Sequence, residues 1–131
     1  MVTYVDSSVV LAYLIGEARV PPASFWNTAV VSSRLLQYEI WNRIHARQLS
    51  ASRGSETRTL LAGVELIEMT EPVLARALTP FPVAVRTLDA LHLATAEFLR
   101  AQGEPVELAS YDNRLIAAAQ AMSIPLAALT P

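Results

Sequence analysis

The sequence predicts an α/β fold in which helices cover both faces of a parallel sheet. Short apolar runs alternate with longer runs of helical periodicity, and this alternation is typical of parallel strands joined by helical crossovers. Aspartates follow predicted strands, at the sheet edge where open α/β folds place a ligand crevice. The length of 131 residues suits one domain, spanning 1–131, with a single core.

Five strands are predicted along the chain. They cover residues 2–5, 29–32, 64–69, 106–110 and 125–129. The predicted helices cover residues 9–15, 22–26, 34–48, 56–62, 72–78, 88–101 and 112–122. Gly16 is expected to close the first helix, and Gly54 is expected to interrupt the chain before the fourth.

Charge and composition limit the classes of function. The formal net charge of −2 excludes a broadly basic surface for nucleic-acid binding. The stretch from residue 34 to residue 58 is nevertheless locally basic, with five arginines and two glutamates. This stretch is either a surface that steers phosphates, with Arg43 and Arg47 as candidate RNA-binding residues, or an ordinary solvated helix face. The hydrophobic fraction of 53% predicts either a partner or second copy that covers apolar surface, or a large core rich in alanine and leucine.

The chain is expected to act in the cytoplasm. It contains no cysteine, which excludes disulfides and thiolate metal sites and suits the reducing cytosol. The N-terminal region lacks the basic residues of a signal peptide, because the first arginine is Arg19. No apolar run approaches the ~18 residues that a membrane helix needs.

Four acidic residues are candidates for a functional site. Only three of the twelve acids are aspartates, and each lies at a predicted strand end or helix start: Asp6, Asp89 and Asp112. Taken alone, Asp6 is explained as well by a helix cap as by a ligand role, Asp112 also by a helix cap, and Asp89 by complementation of the helix dipole. Glu39 lies at the edge of the buried face of its helix, where pairing with Arg43 one turn later is the simpler explanation.

Taken together, these four carboxylates are expected to converge on the carboxyl side of the sheet. At ~5 Å and an effective dielectric of about 20, each pair of ionised carboxylates repels by roughly 3 kcal/mol, so a divalent cation is expected among them. Oxygen ligands favour Mg²⁺ or Mn²⁺, which support phosphoryl chemistry. His92, one helical turn after Asp89, is interpreted as a structural imidazole bonded to a neighbour rather than as a metal ligand.

The chain resembles the PIN-domain proteins, specifically the VapC-type toxins of bacterial toxin–antitoxin pairs. The resemblance covers nearly the whole chain and depends on four segments: YVDSSVVL (4–11), SRLLQYEI (33–40), LDALHLATA (88–96) and SYDNRL (110–115). It implies a three-layer PIN fold whose five parallel strands have the order 3-2-1-4-5. It also implies a Mg²⁺-dependent endoribonuclease, Mn²⁺ being a possible substitute, that forms a homodimer and binds an antitoxin protein.

The same resemblance assigns roles to individual residues. Asp6, Glu39, Asp89 and Asp112 are implied to be the acidic quartet around the metal. Ser8 matches the small hydroxyl residue of the first segment, whereas Ser110 stands where the family often has threonine. Asn113, beside the last aspartate, is a further supporting candidate.

Other functions compete with this interpretation. A module that binds RNA or antitoxin without cutting is the main alternative. A phosphoacceptor domain or a dehalogenase-type phosphatase would need an active-site lysine, and the chain contains none. The small size of the chain and its lack of an arch-like insertion argue against a flap-type DNA nuclease. No dinucleotide-binding, P-loop or nucleophile-elbow motif is present.

Overall fold

The computed structural model, which describes residues 1–130, contains a parallel sheet of four strands. The strands are β1 (Val2–Val5), β2 (Val30–Ser33), β3 (Glu65–Ile67) and β4 (Val106–Ala109), and their spatial order is β3-β2-β1-β4. β1 pairs in parallel with both β2 and β4, and β3 pairs in parallel with β2. The predicted α/β fold is therefore confirmed.

In the part of the chain that the structure describes, six α-helices surround the sheet. They are α1 (Ser7–Ile15), α2 (Leu35–Ala46), α3 (Ser50–Ala62), α4 (Glu71–Ala77), α5 (Thr87–Ala101) and α6 (Asn113–Ala121). A 3₁₀ helix, Ala23–Asn27, precedes β2. Within residues 1–130, no helix is both long enough and apolar enough to cross a membrane.

Two apolar clusters, one on each face of the sheet, form the core. Successive side chains of a strand point to opposite faces, and β1 shows this directly because Val5 belongs to one cluster and Tyr4 to the other. The first cluster includes Leu36 of α2, and the second includes Leu93 of α5 and Leu115 of α6. Helices thus cover both faces, as the three-layer prediction requires.

The predicted fifth strand is reduced to a single bridge. Leu126 pairs in parallel with Leu108 at the outer edge of β4, which is the place that the order 3-2-1-4-5 gives it. The Leu108 N–H donates to the Pro125 carbonyl at 2.8 Å, and the Ala127 N–H donates to the Leu108 carbonyl at 2.8 Å. Pro125 has no N–H of its own, so it cannot extend the ladder in the other direction.

The predicted break at Gly54 is wrong, because α3 runs through this residue from Ser50 to Ala62. Gly54 is buried, and a Cβ built on it would lie 3.5 Å from the Arg58 guanidinium and 3.9 Å from the Trp41 ring. Packing against α2 therefore outweighs the low helix propensity of glycine. Helix α2 is also shorter than predicted, since Gln48 has a φ of 57° and ends the run.

Candidate active site

The four predicted acids line one cavity of about 900 Å³ at the carboxyl edge of the sheet. Asp6 directly follows β1, and Asp112 follows β4 after a two-residue turn. Glu39 projects from α2, and Asp89 lies in the first turn of α5. Parallel strands end at the same edge of a sheet, which explains why residues so distant in the chain face one cavity.

Asp6 is a buried carboxylate held by two serines. It is 4% exposed. Its Oδ1 accepts from the Ser8 hydroxyl at 2.6 Å, and its Oδ2 accepts from the Ser110 hydroxyl at 2.8 Å. Burial raises the pKa of Asp6 from 3.8 to about 6, and the two hydroxyls oppose that rise. No ion pair reaches Asp6 from residues 1–130.

The same two serines fix the turn between β4 and α6. The Ser8 hydroxyl accepts from the Tyr111 N–H at 2.9 Å, and the Ser110 hydroxyl accepts from the Asp112 N–H at 2.9 Å. Each hydroxyl therefore donates to Asp6 and accepts from the neighbouring turn. The arrangement ties the end of β1 to the start of α6 and sets the relative position of two candidate acids.

Glu39 ends a buried chain of hydrogen bonds. The His92 ring, which is 3% exposed, has Nε2 at 2.6 Å from Glu39 Oε1 and Nδ1 at 2.7 Å from the Tyr4 hydroxyl. The Tyr4 oxygen accepts from the Ser33 N–H at 3.1 Å, and burial raises the pKa of Tyr4, so its hydroxyl stays protonated. A carboxylate can only accept, so His92 Nε2 carries a proton and donates it to Glu39.

The His92 interpretation therefore agrees with the structure, since the imidazole bonds to two neighbours. The simpler explanation of Glu39, a pair with Arg43, is not what residues 1–130 contain, because Glu39 bonds to His92 instead. The spacing within α2 allows the Glu39–Arg43 pair, but the partner that Glu39 has in the structure, His92, belongs to a different helix, α5. Only the tertiary structure brings that partner to Glu39.

Asp89 and Asp112 share one arginine that the sequence interpretation missed. Arg86 donates from Nε to Asp89 Oδ2 at 3.0 Å and from Nη2 to Asp112 Oδ2 at 2.7 Å. Its hydrogen bond and charge interaction with Asp89, followed by the charge of Asp112, raise the pKa of the Arg86 guanidinium. The spacing from Arg86 to Asp89 was a usable signal, because residues three apart meet on a helix surface. No such spacing points to Asp112.

Asp112 also acts as the helix cap that its position predicts. Its Oδ1 accepts from the Arg114 N–H at 2.9 Å and from the Leu115 N–H at 3.3 Å. Asp6 makes no such capping bond to α1. The cap explanation therefore holds for one oxygen of Asp112 and does not explain Asp6.

The four acids line one cavity but do not meet at a single point. Among residues 1–130, no three histidine, aspartate or glutamate side chains are gathered closely enough to hold a metal ion. Separate protein groups hold the four acids: serines bond to Asp6, His92 bonds to Glu39, and Arg86 bonds to Asp89 and Asp112. The expectation of one convergent quartet is thus only partly met.

The residues nevertheless fit a hard divalent cation by their chemistry. Carboxylate oxygens are the ligands that Mg²⁺ and Mn²⁺ prefer. Asp6 is buried without a cationic partner among the described residues, and a nearby positive charge would favour its ionised form. Arg86 already supplies a positive charge between two of the other acids.

Basic side chains stand at the mouth of the cavity. Arg43 lines it, as do Arg86 and Arg19, and the Arg19 guanidinium lies 4.9 Å from the centre of the Tyr111 ring. Arg47 is exposed and does not line the cavity. Asn113 begins α6 and is also exposed outside the lining. The structure thus brings Arg43 to the acids and leaves Arg47 and Asn113 beyond the cavity.

Comparison with known proteins places the chain in a family. The family model for the PIN domain matches residues 3–121. The chain therefore belongs to the PIN domain family, in agreement with the resemblance seen in the sequence.

Its curated relatives include ribonucleases of Mycobacterium tuberculosis. Ribonuclease VapC47 of strain CDC 1551 / Oshkosh is 32% identical over 120 residues, which cover 86% of each chain. Ribonuclease VapC35 of the same strain is 32% identical over 98 residues, covering 75% of this chain and 71% of the relative. The chain therefore spans most of the length of both relatives.

A solved structure shares the fold. It is a toxin–antitoxin complex from Klebsiella pneumoniae, whose matching chain superposes with a TM-score of 0.59 and covers 91% of this chain and 93% of its own length. The sequence identity is 16%, so this likeness shows the fold alone.

Proposed function

We propose that this protein is a Mg²⁺- or Mn²⁺-dependent endoribonuclease, the toxin component of a type II toxin–antitoxin pair. The observation that carries the proposal is that Asp6, Glu39, Asp89 and Asp112 line one cavity at the carboxyl edge of the sheet. Relatives that share 32% identity over most of the chain are named ribonucleases, which supports RNA as the substrate class.

The four carboxylates are the candidate ligands of the metal. When bound, the divalent ion would activate water and neutralise charge that develops on the phosphodiester. Ser8 and Ser110 hold the Asp6 carboxylate in place. His92 donates to Glu39 and fixes the orientation of that carboxylate.

The substrate is proposed to enter across the arginines at the cavity mouth. Arg43 lines the cavity, and a guanidinium there can pair with RNA phosphates. Arg47 lies one helical turn further along the chain from Arg43, which suits a backbone track that leads away from the acids. Such phosphate contacts position RNA without reading its bases.

An antitoxin protein and a second copy of the chain are the proposed partners, and the cytoplasm is the proposed compartment. Large apolar side chains are exposed at several places, including Tyr38 at 64% and Leu78 at 88%. Tyr38 lines the cavity that contains the acids. A partner that covers this side chain would also cover the cavity mouth, which is how an antitoxin would block cleavage.

A second candidate is a module with the PIN fold that binds RNA or antitoxin but does not cut. The observation that favours it is that every candidate acid already has a protein partner. Such a module would bind RNA with no requirement for a divalent metal. Metal-dependent turnover therefore separates the two candidates.

The deciding experiment is RNA cleavage by the purified, antitoxin-free protein in Mg²⁺, in Mn²⁺ and in EDTA. We expect cleavage in either metal, none in EDTA, and none by an Asp89→Asn variant with an unchanged circular dichroism spectrum. Glu104→Gln, which removes an exposed acid outside the cavity, is the matched control and should cleave as the wild type does. RNA binding without cleavage in any metal would support the non-cutting module and overturn the nuclease.

A further inference from the structure

One guanidinium spans two candidate metal ligands. We propose that Arg86 is an exchangeable internal cation, which neutralises Asp89 and Asp112 in the metal-free protein, releases both when a divalent metal binds, and then pairs with an RNA phosphate. This inference depends on the proposed nuclease function. It assigns to Arg86 a part in both metal binding and substrate positioning.

The atoms involved make the metal and the arginine competitors. Asp112 Oδ1 is committed to the first turn of α6, where it accepts from two backbone N–H groups. Asp112 Oδ2 is the oxygen that remains for a cation, and Arg86 occupies it at 2.7 Å. Arg86 also occupies Asp89 Oδ2 at 3.0 Å. A metal that uses these oxygens would lie beside the guanidinium, and the repulsion between the two positive charges favours release of the arginine.

The surroundings allow that displacement. The Arg86 side chain is 54% exposed, whereas those of Asp89 and Asp112 are 10% and 29% exposed. Arg86 is the residue that precedes the first turn of α5, so its backbone is fixed by the helix start while the long side chain extends toward solvent. The acids can stay in place while the guanidinium leaves.

The pairing is poorly explained as a device for stability alone. The Arg86 side chain is more than half exposed, so solvent screening reduces what these two pairs contribute to folding. Asp112 is already fixed by its capping bonds, and Asp89 is carried by the long helix α5. What Arg86 changes most is the charge of the cavity, where it offsets two of the five acids that line it, Glu17 being the fifth.

A released Arg86 would have an evident new partner. It lines the same cavity as Arg43 and Arg19, so a third guanidinium would face an RNA strand at the cavity mouth. The planar fork of arginine suits bidentate pairing with phosphate. Metal binding would thus turn an internal counter-ion into a substrate contact.

The test is direct Mn²⁺ binding to the RNA-free protein by isothermal titration calorimetry. Arg86→Ala should lower the Kd for Mn²⁺ by about fivefold or more, the lower end of typical coupling between two ligands. Arg86→Lys keeps the charge but lacks the guanidinium that bonds to both acids, so its Kd for Mn²⁺ should lie between those of Arg86→Ala and the wild type. Arg53→Ala is the matched control, since Arg53 also pairs with an acid three residues later but lies outside the cavity lining.

The second arm measures the KM for RNA cleavage at saturating Mn²⁺. Arg86→Ala should raise KM while it lowers the Kd for the metal, and a purely structural arginine would not move these two constants in opposite directions. Circular dichroism and thermal melting establish that the variants are folded, and Arg86→Gln serves if the alanine variant is not.

The outcomes separate this inference from the proposed function. If the wild type binds Mn²⁺ and cleaves RNA but Arg86→Ala and Arg86→Gln bind Mn²⁺ no more tightly, the exchange is refuted and the nuclease stands. Tighter Mn²⁺ binding with unchanged KM overturns the phosphate contact. A wild type that neither binds Mn²⁺ nor cleaves RNA refutes the proposed function, and this inference with it.

Discussion

Replacing Asp6 by asparagine is expected to stabilise the metal-free protein at neutral pH and to abolish RNA cleavage. Burial raises the pKa of this carboxyl group from 3.8 to about 6. At about 1.4 kcal/mol for each pH unit, that rise corresponds to about 3 kcal/mol of lost stability when Asp6 is ionised. Asparagine has a similar shape and no charge, so the variant avoids this cost.

The stability gained by replacing Asp6 is expected to grow as the pH rises. Folding raises the pKa of Asp6, so the folded protein holds the proton more tightly than the unfolded chain between pH 3.8 and about 6. The unfavourable contribution is therefore fully present above about pH 6 and declines as the pH falls through this window. The stability difference between the variant and the wild type should be about half as large at pH 5 as at pH 7, and small below pH 4.

The hydrogen bonds around Asp6 are expected to survive the change. Ser8 can still donate to the remaining side-chain oxygen. The Ser110 hydroxyl can turn to accept from the new amide, because a hydroxyl both donates and accepts. The free energy of unfolding should therefore report mainly the loss of the charge.

The assay is urea unfolding in EDTA at pH 7 and at pH 5, followed by tryptophan fluorescence and circular dichroism. Glu104→Gln, which also removes one negative charge, is the control and should show no such difference between the two pH values. Added Mn²⁺ should stabilise the wild type and not Asp6→Asn, since a ligand that binds the folded state raises its stability. A variant that is no more stable than the wild type at pH 7, or a difference that does not change with pH, would refute the reasoning.

Two further predictions concern the groups around the acids. His92→Phe, which cannot bond to Glu39 or Tyr4, should lower kcat by about 10- to 100-fold, as is typical when a group that orients a metal ligand is lost. His92→Gln should recover part of that loss, and equal activity of all three proteins in steady-state kinetics would argue against the role of His92. The double variant Arg43→Ala/Arg47→Ala should bind RNA more weakly. The slope of log K against log salt should become shallower by about 1.4, since roughly 0.7 is expected for each of the two lost phosphate contacts. An unchanged slope in a filter-binding titration would indicate that this pair forms an ordinary solvated face.

Local chemistry accounts for what could be predicted from the sequence. Gly16 closes α1 in a left-handed conformation with a φ of 75°, as its position after an apolar run predicts. Asp6 and Asp112 lie at strand ends because the strands and helices around them have clear patterns. Such signals involve residues within a few positions of one another, so they can be read without knowing the fold.

The predictions that were wrong or incomplete failed because of contacts between residues distant in the sequence. Gly54 lies buried inside helix α3 beside Trp41 of α2, and that tertiary contact is not visible in the local sequence. The last strand is shorter than its apolar pattern predicts, because Leu126 makes one bridge and Pro125 cannot donate to the ladder. Packing and pairing outweigh propensity in both cases.

Strand and helix periodicity in the sequence was enough to predict the α/β class, because these patterns are local properties. The PIN family was recognised from the resemblance of four segments, and the same segments contain the four acids. The partners of those acids could be known only from the folded structure. Arg86 bonds to Asp112, 26 residues away in the chain, and His92 bonds to Glu39, 53 residues away. Such contacts form only where the folded chain brings the two side chains within hydrogen-bonding range.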